Sequence, residues 1–274
     1  MIAITKTNFP EVREELREML LTAPQVTVER WQGIAANTDT FELRNVDFEI
    51  DLAENESLDH WANEIHPNTE WANAHFQERI SGHPLNPGKE WANWPFALSA
   101  AKFVQTRFNH TYSERLWPKF ARRTEDGVMP KRIGGRGYPD KDPRPNYGIA
   151  HHYGDLRDLV ELLAHEPHTR QAYIPLFFPE DTGKSDGGRK VCSLGYNFLV
   201  RENKLHVWYP LRSCDFVRHF SDDCYLTIRL LLWVLDECRK LNPEFWTRVK
   251  PGTFAFHATS LHIFRNDKEK LANG

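Results

Sequence analysis

A cysteine and an arginine–serine pair stand on either side of one predicted β-hairpin. Cys192 comes just before the first strand, Tyr196–Arg201. The run Arg-Ser-Cys-Asp at 212–215 follows the second strand, Lys204–Tyr209. Because a short antiparallel pair returns the chain close to its start, we expect the two groups to lie near one another. A thiol can act as a nucleophile, and a guanidinium beside a hydroxyl suits the oxygens of a phosphate dianion.

The other strands and helices, which must hold this hairpin in position, are predicted from the periodicity of apolar residues. Residues 40–52 alternate apolar and polar side chains with one slip at Asn45 and Val46, as in a half-buried strand. Residues 223–240 are apolar on nearly every side, which indicates a central buried helix. The other predictions are amphipathic helices over 69–80 and 153–164, the second capped by Asp155, and strands over 173–178 and 253–265.

Together these elements predict an α+β fold in which a mixed β-sheet packs with helices around a central buried helix. A length of 274 residues with 40% hydrophobic content is enough for one sizeable core, so residues 1–274 are expected to form a single domain. Residues 122–147 hold seven Lys or Arg among Gly and Pro, without an apolar period. This segment is predicted to be a basic loop insertion at the surface.

The composition excludes several classes of protein. The formal net charge of −3 argues against a general nucleic-acid-binding protein, which needs an excess of cations for the phosphate backbone. No apolar run reaches the ~18 uncharged residues of a membrane span, and the first residues lack a secretory signal pattern. Four cysteines without CxxC spacing predict neither a disulfide framework nor a metal site. We therefore expect a cytoplasmic protein without membrane or nucleic-acid partners.

Several residues occur in the order found in one enzyme family. Residues 189–198 (Arg-Lys-Val-Cys-Ser-Leu-Gly-Tyr-Asn-Phe) resemble the nucleophile segment of thymidylate synthases and deoxypyrimidine hydroxymethylases. The run at 212–215 is similar to their Arg-Ser-x-Asp motif, at the family's usual distance of twenty residues from Cys192. The further matches, in chain order, are Tyr112, Arg170 and His262. The chain resembles a phage-type member of this family, which would act in the host cytoplasm.

The resemblance implies transfer of a one-carbon unit from 5,10-methylenetetrahydrofolate to C5 of a pyrimidine nucleoside monophosphate. C5 becomes nucleophilic only after a group adds to C6, and the thiolate of Cys192 is the implied nucleophile. Asp215 is assigned to the same catalytic set. Trp91 and Trp94 resemble the aromatic pair that borders the folate, although core packing explains them nearly as well.

Other family roles fall on residues before and after the hairpin. The glutamate that relays protons to the ring is implied to be Glu78, with Glu70 as the alternative. A solvated carboxylate on a helix face is the other interpretation of Glu78. Tyr112 and His262 are implied to bind substrate, His262 at the sugar hydroxyl. Phe264 stands where the family usually has a ribose-binding Tyr, so sugar recognition is expected to differ.

The phosphate is expected to bind to Arg212 and Ser213. In the family a second arginine segment reaches the phosphate from the partner subunit, and Arg170 matches that segment. Gln171 follows where another Arg is usual, which puts one phosphate contact in doubt. The resemblance therefore implies a homodimer with shared sites.

The base is predicted from the residue eleven positions after the motif arginine. Thymidylate synthases usually carry an Asn there, which pairs with uracil, whereas this chain has Asp223. A carboxyl group that accepts from the C4 amino group and, when protonated, donates to N3 fits cytosine better. The alternative is that Asp223 merely caps a helix that begins near Ser221.

The chain also stops ten residues after Phe264, where thymidylate synthases continue and seal the folate site against water. A wetter site is expected to give a hydroxymethyl product. Asp223 in place of the usual Asn and the early end after Phe264 both favour a deoxycytidylate 5-hydroxymethylase of the kind that supplies modified DNA precursors in phages. The alternatives are a thymidylate synthase, a dUMP or CMP hydroxymethylase, and a family member without catalysis that binds nucleotide or RNA.

Overall fold

The computed structural model describes residues 2–31, 34–88, 103–104, 107–118, 154–182 and 190–273. Trp91, Trp94 and the predicted loop at 122–147 lie outside these ranges.

The described residues form a mixture of helices and strands. The helices are α1 (Phe9–Thr22), α2 (Leu58–Ile65), α3 (Thr69–Arg79), α4 (Tyr112–Leu116), α5 (Leu156–His165), α6 (Phe220–Leu241), α7 (Pro243–Trp246) and α8 (Lys268–Asn273). The strands are β1 (Ile2–Ile4), β2 (Gln25–Trp31), β3 (Ile34–Asp51), β4 (Phe103–Val104), β5 (Arg107–Phe108), β6 (Tyr173–Pro175), β7 (Gly195–Arg201), β8 (Lys204–Leu211), β9 (Cys214–Asp215) and β10 (Lys250–Phe264).

An eight-stranded mixed sheet organises the fold. Its strands follow the order β1-β3-β10-β8-β7-β6, with β2 paired to β3 and β9 paired to β10. Strand β10 runs antiparallel to β3 and parallel to β8 and β9. Strands of both orientations in one sheet, with helices packed on it, are compatible with the predicted α+β class.

Helix α6 is the central buried helix that the sequence predicts. It packs against α2, α3, α5, β8 and β10, and most of its side chains are buried. It begins at Phe220, three residues before the predicted start, because Phe220 joins the core. The Phe220 ring stacks on Phe9 with ring centroids 5.4 Å apart and on Phe216 at 5.0 Å.

The predicted hairpin is formed by β7 and β8. Glu202 and Asn203 connect the strands with φ of 52° and 56°, the left-handed pair of a two-residue turn that matches the twist of its strands. Strand β8 extends to Leu211, directly before Arg212. Strand β6 is shorter than predicted and ends at Pro175.

The slip noted at Asn45 corresponds to a kink shared by β3 and β10. Asn45 has φ of 53°, and the burial alternation of β3 changes phase between Leu43 and Val46. Strand β10 changes phase at the paired position, between Ala258 and Leu261. A shared change of phase keeps the apolar side chains of both strands in the core.

Candidate active site

The loops at the open end of the β7–β8 hairpin bring Cys192 to Arg212 and Ser213. The Cys192 sulfur lies 3.8 Å from Arg212 Nη2 and 3.7 Å from Ser213 Oγ. The Arg212 backbone N–H donates to the Cys192 carbonyl at 2.9 Å, and Ser193 forms a β-bridge with Leu211. The proximity predicted from the hairpin is therefore found, and the thiol is partly exposed.

The guanidinium of Arg212 is held in place by its own surroundings. Its Nε donates to the Val191 carbonyl at 2.8 Å and its Nη2 to the Lys190 carbonyl at 2.9 Å. Nη1 lies 3.3 Å from Ser213 Oγ. These bonds fix the cationic guanidinium beside the Cys192 sulfur. The same cation can receive a phosphate oxygen without further ordering.

A chain of hydroxyl groups lies next to the cysteine. The Ser193 hydroxyl lies 2.7 Å from the Tyr112 hydroxyl and 2.5 Å from the Tyr209 hydroxyl. Burial raises the pKa of both phenols, so both are neutral at neutral pH. The sequence comparison singled out Tyr112 but missed Ser193 and Tyr209, although Ser193 adjoins Cys192 and Tyr209 precedes Arg212 by three residues.

Arg79 is a second residue that the sequence did not single out. It is 1% exposed on α3, and its Nε donates to His75 Nε2 at 2.8 Å. Its Nη1 donates to the Tyr196 hydroxyl at 2.9 Å, and its guanidinium carbon lies 4.0 Å from the centre of the Tyr112 ring. The available signal in the sequence was its position directly after Glu78.

Glu78 lies on α3 and is 4% exposed. The interpretation of Glu78 as a solvated carboxylate is therefore wrong. Its carboxylate lies against Gly88, where an added Cβ would clash with it. The alternative, Glu70, is exposed in the first turn of the same helix.

Asp215 and His262 lie side by side on β9 and β10. One Asp215 oxygen accepts from the backbone N–H groups of Val217 and Arg218, both at 3.1 Å, and the other from Arg218 Nη1 at 2.9 Å. Burial lowers the pKa of His262, although Asp215 opposes the shift. The Phe264 ring stands edge-on to His262 at 5.7 Å.

Asp223 is the fourth residue of α6 and not its cap. His219 occupies the cap position, and the Asp223 N–H donates to the His219 carbonyl at 2.8 Å. The Thr227 hydroxyl donates to the Asp223 carbonyl at 2.7 Å. Burial raises the pKa of Tyr112, and the negative charge of Asp223 adds to that shift. The helix-cap interpretation of Asp223 is therefore wrong.

The remaining predicted residues are placed as follows. Arg170 is exposed and lies three residues before β6. Trp91 and Trp94 lie outside the described residues.

Within the described ranges no cluster of His, Cys, Asp or Glu could hold a metal ion, and all four cysteines are free thiols. None of the described helices combines the length and apolar character needed to cross a bilayer.

A comparison with known proteins finds a distant relative. A protein of Methanosarcina barkeri (strain Fusaro / DSM 804), named "Putative thymidylate synthase", is 26% identical to this chain over 115 residues. The match covers 42% of this chain and 48% of that protein, so it spans about half of the relative. No protein-family model matches the chain. The likeness to thymidylate synthases is therefore distant and partial.

Proposed function

We propose that this chain is a single catalytic domain that transfers a one-carbon unit to C5 of a pyrimidine nucleoside monophosphate. The observation that carries the proposal is the Cys192 sulfur held 3.8 Å from Arg212 and 3.7 Å from Ser213. A nucleophile beside a phosphate-binding pair is the arrangement such a reaction needs. The relative named as a thymidylate synthase supports the same class of chemistry.

In the proposed reaction Arg212 and Ser213 bind the phosphate and thereby place the ring over Cys192. The thiolate adds to C6, a C–S bond forms, and the electron pair of the C5–C6 double bond makes C5 nucleophilic. When bound, 5,10-methylenetetrahydrofolate supplies the carbon that becomes attached to C5. Glu78 is the proposed carrier of protons to and from the ring. Its burial keeps the carboxyl group away from bulk water.

Part of such a folate could bind in a groove that the described residues form. This groove of about 390 Å³ is lined by the nitrogen groups of Arg13, His66, Arg218 and Lys270 and by the carboxyl groups of Asp222 and Asp267. Of these, Arg218 already pairs with Asp267. Arginine and lysine side chains suit the carboxylates of a folate glutamate tail. Trp91 and Trp94 stay proposed contacts of its ring.

We infer cytosine as the base, since Asp223 is a carboxyl group and is not needed as a helix cap. The proposed activity is thus deoxycytidylate 5-hydroxymethylase. The second candidate is thymidylate synthase, which the name of the M. barkeri relative favours.

The proposal includes a homodimer. The open face of the sheet exposes Trp208 to 46% and Tyr173 to 41%, and β1, β3, β8 and β10 line a groove of about 450 Å³ on it. Large aromatic side chains on an otherwise polar surface are typical of interaction sites. Arg170 lies just before Tyr173 and β6, at the edge of this sheet, from which it could reach a partner subunit.

The test is to incubate the protein with 5,10-methylenetetrahydrofolate and with dCMP, dUMP or CMP, and to identify the products by mass spectrometry. A hydroxymethyl group on dCMP is expected. A methyl group on dUMP would support the second candidate, and a product from CMP alone would reassign the sugar. No product from any nucleotide, with nucleotide binding intact, would contradict the enzymatic proposal.

A further inference from the structure

Three hydroxyl groups form a hydrogen-bonded chain that begins beside the nucleophile segment. The Ser193 hydroxyl lies between the other two, 2.5 Å from the Tyr209 hydroxyl and 2.7 Å from the Tyr112 hydroxyl. Ser193 and Tyr209 are fully buried, whereas Tyr112 is partly exposed. Of the three residues, only Tyr112 has surface that a ligand could contact.

The three groups carry three protons but make two hydrogen bonds with one another. Burial raises the pKa of both phenols, so the tyrosines keep their protons at neutral pH. Among the described residues the hydroxyl groups of Ser193 and Tyr209 have no hydrogen-bond partners outside the chain. A buried hydroxyl proton without an acceptor is costly, so both buried groups are expected to donate within the chain.

This requirement fixes the direction of the chain. Tyr209 has only Ser193 to donate to, and Ser193 must then donate to Tyr112. The opposite direction would leave the Tyr209 proton without an acceptor in the core. The proton left over for a group outside the chain is therefore that of Tyr112.

Tyr112 is also held in place from two other sides. One helical turn after it, Arg115 donates to both carboxylate oxygens of Asp181, at 2.7 Å and 2.9 Å. The guanidinium carbon of Arg79 lies 4.0 Å from the centre of the Tyr112 ring. A cation over a phenol ring attracts its electrons, which makes the phenol a better proton donor in a hydrogen bond.

Resting on the proposed function, we propose that Ser193 and Tyr209 are positioning residues that fix Tyr112 as a hydrogen-bond donor to the pyrimidine. Ser193 directly follows the proposed nucleophile, so the hydroxyl chain adjoins the place where the ring would lie. When the Cys192 thiolate adds to C6, the C–S bond forms and the electron pair of the C5–C6 double bond moves into the ring. A preorganised donor stabilises the negative charge that develops there. Tyr112 keeps its proton throughout, and proton transfer stays with Glu78.

Unfolding measurements test the direction of the chain without relying on activity. Ser193→Ala should lower the urea midpoint by roughly 0.5 M, because it leaves the Tyr209 proton unpaired in the core. Adding Tyr209→Phe removes that proton and should recover most of the loss. With the opposite direction, Tyr209→Phe alone would remove an unpaired donor and raise the midpoint above that of the wild type. That result would overturn the inference.

Kinetics test whether Ser193 acts through Tyr112. Ser193→Ala should lower kcat for tritium release from C5-labelled dCMP by about tenfold, the value of one neutral hydrogen bond. KM should stay nearly unchanged, because the donor meets negative charge only in the transition state. In a Tyr112→Phe background, Ser193→Ala should cause no further loss.

Ser113→Ala is the matched control for the loss of a buried serine hydroxyl. Ser113 is 1% exposed on α4, next to Tyr112, and its hydroxyl has no hydrogen-bond partner in the described part of the chain. The same substitution there should leave kcat and KM unchanged.

A more acidic phenol separates a donor from a base. With 3-fluorotyrosine in place of Tyr112, a donor is strengthened and a base is weakened at nearly constant size. We expect kcat to rise by about twofold, whereas proton abstraction by Tyr112 would make it fall.

A fall in kcat with 3-fluorotyrosine would overturn the inference and leave the proposed one-carbon transfer standing, even if Tyr112→Phe fails to fold. Additive losses from Ser193→Ala and Tyr112→Phe would overturn it as well, since Ser193 would then act on another group. Absence of tritium release from the wild type would overturn both the inference and the proposed function.

Discussion

Asp222 and Asp223 are neighbours on α6, but they face different surroundings, because successive helical residues point about 100° apart. The Asp222 carboxylate accepts from the Asn68 backbone N–H at 2.6 Å, and burial raises its pKa to about 6. For Asp223, the Thr227 hydroxyl donates to the backbone carbonyl at 2.7 Å. Of the two residues, Asp223 is the one that we propose reads the base.

Asp222→Asn is expected to stabilise the protein at neutral pH. The folded chain holds the Asp222 proton more tightly than the unfolded chain, in which the pKa of this side chain is about 3.8. The contribution of Asp222 to the free energy of unfolding is therefore fully present below about pH 4, and it is lost as the pH rises through about 6. The variant should match the wild type near pH 4 and gain at most about 3 kcal/mol above pH 7. Urea unfolding at both pH values checks this, and destabilisation at both would show that the backbone bond requires a carboxylate.

Cys192→Ala is expected to abolish tritium release from C5-labelled nucleotide. Without the thiolate nothing adds to C6, and C5 does not become nucleophilic. The side chain is partly exposed, so the fold should stay intact, as circular dichroism can verify. Release at the wild-type rate would refute the proposed nucleophile.

Asp223→Asn is expected to shift the preference in kcat/KM from dCMP toward dUMP by at least ~10²-fold, which corresponds to two reassigned hydrogen bonds at ~1.4 kcal/mol each. The amide keeps the size of the side chain and changes its charge and its hydrogen-bond pattern. Asp222→Asn serves as the matched control, since it makes the same change one residue away. An unchanged ratio of the two substrates would remove Asp223 from base recognition.

At the scale of elements, the β7–β8 hairpin carries the candidate site at one end and a two-residue turn at the other. Its open end holds Cys192 beside Arg212, while its closed end is the turn at Glu202 and Asn203. Both turn residues have positive φ, a conformation in which Asn and Gly are more stable than Glu. The two ends can therefore be altered independently.

Replacing Glu202-Asn203 by Asn-Gly is expected to raise the free energy of unfolding by about 0.5–1 kcal/mol and to leave activity unchanged. Asn203→Ala should lower it by a similar amount, because alanine tolerates positive φ poorly. Thermal or urea unfolding measures both. Equal stability of the three proteins would mean that the turn conformation is not under strain.

At the scale of the whole molecule, the sheet has a face packed against α6 and another that exposes Trp208 and Tyr173. The proposed dimer would cover the exposed face. Shared sites follow if Arg170, exposed just before β6, reaches the phosphate bound to the partner subunit.

Mixing Arg170→Ala with Cys192→Ala subunits tests this sharing. Random exchange makes half of the dimers mixed, and each mixed dimer holds one intact site, so up to about a quarter of the activity should return. The control is a mixture of Arg212→Ala with Cys192→Ala. Both of those residues belong to one subunit's site, so no activity should return. Failure of the first mixture, despite proven exchange, would place Arg170 outside the partner's site.

The positions of several strands and helices followed from the sequence alone. Three predicted elements lie close to their predicted positions, because periodicity and turn residues act locally. They are the strand over 40–52, the apolar helix near 223–240 and the hairpin. The proximity of Cys192 to Arg212 followed from the hairpin for the same reason. Even the slip at Asn45 marked a real kink.

Tertiary structure decided which polar groups meet inside the molecule. The start of α6 moved to Phe220 because that ring packs on Phe9, and this removed Asp223 from the cap position. Glu78 proved buried, although its neighbours in sequence allow a solvated helix face. Arg79 lies 117 residues from Tyr196 in the chain, yet the two are hydrogen-bonded. Burial and charge pairing depend on such distant contacts, which local periodicity does not encode.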